Sequence, residues 1–242
     1  MILLILNVCL AAVLYQPTVQ ASDSSASLMT TNVNQQNEIV NKHNDLRRRV
    51  QPSAKNMLKM NWNNVIAQNA QRWANQCNLK HSSQQSRLID GTGCGENLYM
   101  SSAPNSWSDA IQAWYNEVKD FAYGSGAKTR GAVIGHYTQV VWYKSNEVGC
   151  ALAYCSAQPI FKYFYVCQYC PAGNYADKMA TPYSTGQPCG DCPNNCNNGL
   201  CTNPCKENDK YTNCADLKNQ WGCGKPIMQD CKASCTCTTE IQ

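Results

Sequence analysis

Four side chains in this chain suit a divalent cation: His81, Glu96, Glu117 and His136. Imidazole nitrogens and carboxylate oxygens are the ligands zinc takes, and two of each would complete a four-coordinate site. His81 follows Cys77 by four residues, and Glu96 lies in Cys94-Gly95-Glu96-Asn97-Leu98, where a glycine and a cross-linked cysteine would hold the backbone. His136 opens Gly135-His136-Tyr137-Thr138-Gln139-Val140-Val141-Trp142, whose β-branched and aromatic content over Tyr137 to Trp142 predicts a strand. Spacing alone serves equally well a site with no metal, made of two hydrogen-bonded histidines and two surface carboxylates.

The same residues give catalysis no positive support. A zinc hydrolase would place His-Glu-x-x-His on one helix, and a serine hydrolase would show Gly-x-Ser-x-Gly; both are absent. A metal-dependent hydrolase using His81 and His136 stays open only as a minor reading. His43, in His43-Asn44-Asp45-Leu46-Arg47, falls inside a predicted helix and reads as a buried, hydrogen-bonded structural residue.

Helices and strands must position these groups. Glu38 to Val50 reads as a polar helix stopped by Pro52, with Arg47-Arg48-Arg49 as a solvated face. Ile66, Ala70, Trp73 and Cys77 recur at helical spacing behind an asparagine cap, and Ile111, Trp114, Val118 and Phe121 do so over Ser108 to Phe121, with Glu117 beside that stripe. Phe161 to Tyr169 predicts a strand, and Gly149 to Ala153 another pairing with it. Helices first and strands later indicate an α+β layered body.

Cysteine usage sets the compartment. Met1 to Tyr15 is nearly all apolar and Val19-Gln20-Ala21 suits a signal peptidase, so residues 1–21 read as a leader cleaved after Ala21. Cys9 leaves with it, and the sixteen remaining of the seventeen cysteines suggest up to eight disulfides in a secreted chain. On that reading the Cys-x-x-Cys pairs Cys167/Cys170 and Cys189/Cys192 are disulfide partners rather than zinc or redox motifs, and no thiolate is left as a nucleophile. No Asn-x-Ser/Thr sequon is present.

Six cysteines span 77–170, whereas ten crowd into 189–237, with a proline- and glycine-rich segment at 171–188 that reads as a hinge. The tail lacks periodicity, so its fold must come mainly from cross-links, each contributing about 2–4 kcal/mol. Short helices are expected where Asp209 to Gln220 permits. Net charge is +4, but residues 189–242 hold five Lys against six Asp and Glu and are net −1. No broad basic stripe suggests nucleic-acid binding.

Four segments resemble the motifs of a known superfamily. Gly135-His136-Tyr137-Thr138-Gln139-Val140-Val141-Trp142 and Tyr165-Val166-Cys167-Gln168-Tyr169-Cys170-Pro171-Ala172-Gly173-Asn174-Tyr175 are similar to the signatures uniting cysteine-rich secretory proteins, insect antigen 5 and plant pathogenesis-related proteins. His43-Asn44-Asp45-Leu46-Arg47 and Gly95-Glu96-Asn97-Leu98 resemble two further motifs, and the ten-cysteine tail narrows the resemblance to the cysteine-rich secretory proteins of the reptile venom type, from about residue 36 to the end.

The resemblance implies an α-β-α sandwich body at 36–170, preceded by a segment at 22–35 and followed by the hinge at 171–188. It also implies a small domain at 189–242 with a core at 205–237 like sea-anemone channel toxins. It places the family's cleft tetrad on His81, Glu96, Glu117 and His136, a possible Zn2+ site without established turnover. It implies the disulfides Cys77–Cys155, Cys94–Cys170 and Cys150–Cys167 in the body, and Cys189–Cys196, Cys192–Cys201, Cys205–Cys237, Cys214–Cys231 and Cys223–Cys235 in the tail.

For function it implies a secreted, non-enzymatic venom toxin that blocks ryanodine receptors or voltage-gated calcium or potassium channels; nothing in the sequence suggests an obligate assembly, so a monomer is expected. The alternative is sterol or lipid binding, or inflammatory modulation, through the body. The residues themselves dissent in part, because anemone toxins plug pores with a lysine followed by an aromatic residue. Here Lys225 precedes Pro226, while Lys210-Tyr211 lies between different cysteines. A net-negative tail is also a poor cationic plug, so the expectation is a cap on a channel's outer face shared by body and hinge.

Overall fold

The computed structural model describes residues 25–242 apart from Thr212; the leader read at 1–21 lies outside the described residues. In chain order the body holds α1 (Val33–Arg48), β1 (Asn61–Trp62), α2 (Asn64–Ala74), β2 (Leu88–Ile89), β3 (Thr92–Gly93), β4 (Gly95–Ser101) and α3 (Trp107–Tyr115). It continues through a 3-10 turn (Asn116–Asp120), β5 (Phe121–Ala122), β6 (Gly126–Ala127), α4 (Gly135–Val140), β7 (Glu147–Tyr154) and β8 (Tyr163–Cys170). The tail holds β9 (Cys196–Asn197), β10 (Leu200–Cys201), α5 (Cys214–Trp221), a 3-10 turn (Pro226–Asp230) and α6 (Lys232–Thr236).

The central sheet has the order β1-β7-β8-β4, parallel only between β1 and β7. Every residue of β8 is buried, because both faces are covered. Tyr165, Cys167 and Tyr169 point into the larger core with Val148, Cys150 and Leu152, shared with Ile39 of α1, Trp107 and Ile111 of α3 and Tyr137 of α4. Phe164 and Val166 point the other way, onto Ala70 and Ala74 of α2. The body is the α-β-α sandwich that the resemblance implied, and period-two side-chain alternation builds both of its cores.

Asn63 caps α2 through bonds from the Val65 and Ile66 amides, and Ser106 caps α3 in a reciprocal box with Asp109. Gly149 is required where α2 crosses β7, since a Cβ there would lie 2.1 Å from the Ala67 nitrogen.

Three features differ from the sequence reading. Tyr137 to Trp142 is not a strand: Gly135–Val140 is helical, and Tyr137, Thr138, Gln139 and Val140 are all buried. Its β-type composition reflects packing on every side, because β-propensity measures fit to a buried surface more than a backbone preference. Residues 95–101, to which the sequence reading assigned no element, form β4, the sheet edge paired to β8 along its whole length.

The third difference is Arg47, which is not part of a solvated face but only 1% exposed. Its guanidinium donates to the carbonyls of Leu58, Val140, Trp142 and Tyr143, with the Leu58 oxygen accepting twice at 2.7–3.0 Å. These carbonyls belong to irregular or helix-terminal segments; the Tyr143 oxygen also accepts from the Leu58 amide, and a fork of five donors joins all four. Burial lowers Arg47 to about 9, which leaves it charged at neutral pH.

Candidate functional site: two histidine–glutamate pairs and a docked tail

Glu96 sits on β4 with its side chain 1% exposed. His81 Nδ1 lies 2.9 Å from one carboxylate oxygen, which also accepts from the Ser82 amide; the other accepts from Ser82 Oγ and Gln168 Nε2. Burial would raise the Glu96 carboxyl, but the bonds from His81, Gln168 and Ser82 outweigh it and hold it below its ordinary value. Arg87 adds a cation 3.7 Å away.

Glu117, on the 3-10 turn after α3, meets His136 across the start of α4. His136 Nδ1 is 2.6 Å from Glu117 Oε1, while Oε2 accepts from the His136 and Tyr137 amides. The carboxylate therefore caps a helix that has no side-chain cap of its own at Ile134. Trp114 stacks on the His136 ring at 6.5 Å between centroids.

Behind this pair runs a buried relay. Asn97 Nδ2 donates to the His136 carbonyl and approaches Tyr169 Oη, and that hydroxyl bonds His43 Nε2. His43 Nδ1 in turn meets the Ile39 carbonyl at 2.8 Å. Burial holds His43 down at about 4, so it is neutral at pH 7 and serves structure. Residues from all four motifs thus form one network.

Each pair presents a histidine whose Nδ1 is engaged by a carboxylate, which leaves Nε2 to carry the lone pair toward a metal. Both carboxylates are spent on protein donors. Among the described residues no three of the four groups bring a ligand atom within 4.8 Å of one another, so the tetrad as placed offers two imidazoles rather than a closed cage. His81 and Glu96 line a cleft of about 740 Å³ whose far wall includes Asn208 and Asp209 of the tail.

The eight disulfides are Cys77–Cys155, Cys94–Cys170, Cys150–Cys167, Cys189–Cys196, Cys192–Cys201, Cys205–Cys237, Cys214–Cys231 and Cys223–Cys235. Neither Cys-x-x-Cys pair closes on itself. The three-sulfur group Cys189, Cys192 and Cys201 is disulfide sulfur, not thiolate ligands.

The tail is seated on the body. Leu58 bridges Cys201 in parallel, Arg48 donates to the Asn198 carbonyl, and Tyr143 Oη donates to the Gln242 oxygen at 2.5 Å. Leu58 and Tyr143 pack with Cys189, Cys192, Cys201 and Ile241. The intervening segment is pinned as well: Thr185 bridges Ala54, and the Ser184 and Pro182 carbonyls accept from the Lys55 and Tyr143 amides. Sequence reasoning missed Arg47 as the anchor of this joint; its only signal was a basic residue on the α1 stripe of Ile39, His43 and Leu46.

Of the channel-contact candidates, Lys210 is paired with Asp230 at 3.5 Å, and Lys210 and Tyr211 line a cavity of about 370 Å³ against Trp142, Tyr143 and Lys144 of the body. Lys225 is exposed, just before the 3-10 turn.

Comparison with known proteins decides the family. A model of the cysteine-rich secretory protein family (CAP) matches residues 40–169, and a second, Crisp, matches 189–242. The chain belongs to the cysteine-rich secretory protein family. It is 61% identical over 242 residues to helothermine, a cysteine-rich venom protein of Heloderma horridum horridum, and 57% identical over 243 residues to the venom protein VAR11 of Varanus varius; both matches cover all of each chain. A solved structure described as NaASP2 with Zn2+ aligns with a TM-score of 0.58 at 31% identity, over 71% of this chain and 96% of that one. The eight disulfides are those of a secreted chain.

Proposed function

We propose that this cysteine-rich secretory protein is a venom toxin that binds the outer face of an ion channel and impairs it. The observation that carries the reading is the seated tail: the joint through Leu58, Cys201, Tyr143 and Gln242 presents the body and the cysteine-rich domain as one surface. Binding without turnover suits such a surface, because preorganisation lowers the cost of association. The relatives named as venom proteins support the setting, and ryanodine receptors and voltage-gated calcium and potassium channels are the targets to examine.

The test is electrophysiology on a panel of those channels, with oxidised recombinant protein against a reduced, alkylated control. Block by the oxidised form alone supports the reading. No block on any channel of the panel overturns it.

For the cleft, we propose that zinc is held by Nε2 of His81 and Nε2 of His136, with Glu96 and Glu117 orienting the rings. Calorimetry with Zn2+ should give binding that falls at least tenfold in His81→Ala and in His136→Ala, as expected for loss of a ligand or its orientation. Equal binding by both variants would place the metal elsewhere.

A further inference from the structure

The tail's net charge hides a division of its surface. Of its six acidic residues, four are engaged within the protein. Asp191 pairs with Lys55 of the body at 3.0 Å, and Asp209 accepts from the Ser234 amide and hydroxyl. Asp230 takes Lys210 and Tyr211, while Glu240 accepts from the Thr238 and Thr239 amides. The segment 217–229, in contrast, holds Lys218 and Lys225 and no acid.

Residues 219–227 are exposed throughout, with Trp221 at 45% and Ile227 at 41%. A large aromatic and a branched aliphatic side chain flank Lys225, which enters no ion pair among the described residues. The backbone beneath is fixed: the Gly222 amide closes α5 onto the Lys218 carbonyl, Cys223 is bonded to Cys235, and Met228 is buried against Cys214 and Cys231. Asp216 sits in the first turn of α5, about 7 Å along the axis from Trp221.

We infer that Trp221, Lys225 and Ile227 form the face with which the tail meets an acidic, apolar-rimmed protein surface at the mouth of a cation channel. The inference rests on the channel-binding reading above and assigns its contact to residues other than Lys210-Tyr211, which face the body. Charge complementarity points to an acidic partner, since this acid-free segment carries two of the tail's five lysines and the other acid-free stretches, 192–206 and 231–239, carry one each. An exposed tryptophan on a small rigid patch is the composition of a protein hot spot. A membrane anchor would draw on a larger cluster of lysines and arginines than the two lysines here.

The test uses the full-length oxidised protein on whichever panel channel the wild type blocks. Trp221→Ala combined with Lys225→Gln should raise the half-blocking concentration at least tenfold and flatten its dependence on salt, while Lys210→Gln leaves it unchanged. Ile227→Ala alone, a milder change, should raise it about threefold. Near-ultraviolet circular dichroism and a thiol titration showing no free cysteine establish that the variants are folded. Equal block by folded variants overturns the assignment of this face and leaves the channel reading standing. No block by the wild type overturns that reading and the inference with it. Binding to phosphatidylserine vesicles that the double variant loses, with block unchanged, overturns the protein partner in favour of a membrane.

Discussion

Replacing Arg47 by Met should loosen the joint between body and tail more than any change at the tail itself. The guanidinium donates to four carbonyls, of Leu58, Val140, Trp142 and Tyr143, through five hydrogen bonds. The Tyr143 carbonyl keeps its bond from the Leu58 amide, and leaving each of the other three unpaired costs about 1–3 kcal/mol, so the gross loss is about 3–9 kcal/mol. Relief from burying a cation that has no carboxylate partner offsets several of these, which leaves a net destabilisation of about 3 kcal/mol. Against a total stability of about 5–15 kcal/mol, that is a large fraction.

Two of the four carbonyls belong to residues that carry the tail. Leu58 bridges Cys201, and Tyr143 holds Gln242. Urea unfolding measures the stability change, and hydrogen exchange at the Lys59 and Cys201 amides, whose acceptors lie across the joint, measures its loosening. Arg47→Lys should recover less than half of the loss, because a single ammonium cannot span the fork. A loss below about 1 kcal/mol in Arg47→Met with unchanged exchange would refute the reasoning, by showing that the carbonyls find other partners.

Acid should destabilise the body through His43, whose folded value of about 4 lies below its ordinary 6.5. The unfolded chain binds the proton first, so this contribution is intact above pH 6.5 and is lost as pH falls toward 4. It amounts to about 3 kcal/mol, and urea midpoints across that window in wild type and a flatter His43→Gln check it. Glu96, held low, adds a loss of the same sign at more acid pH. Gly149→Ala should cost about 3 kcal/mol by driving a Cβ into the backbone of α2, whereas Gly93→Ala, where nothing lies within 4 Å, should be near neutral in thermal unfolding. Lys55→Met should change stability by less than about 0.5 kcal/mol, because its pair with Asp191 is well exposed, and a larger shift would mean that this ion pair helps seat the tail.

Much of the architecture was legible in the chain. The i, i+4 stripe of Ile66 and Ala70 with its Asn63 cap, the aromatic run of β8 and the jump in cysteine density after residue 188 depend on short-range periodicity and composition, which one sequence carries in full. The motif residues His81, Glu96, Glu117 and His136 could be named as a group, but not as two pairs, because their partition depends on β4 and α4 meeting other elements. The tertiary structure alone decided the fate of Tyr137 to Trp142, where burial on every side turned strand-like composition into a helix. It also decided Arg47, whose partners lie 11 to 96 residues away in segments that no local pattern brings together. Charge sums over the tail could not foresee that four of its six acids are engaged within the protein while Trp221 and Lys225 stay outside, because net charge is a property of composition and a binding face is a property of placement.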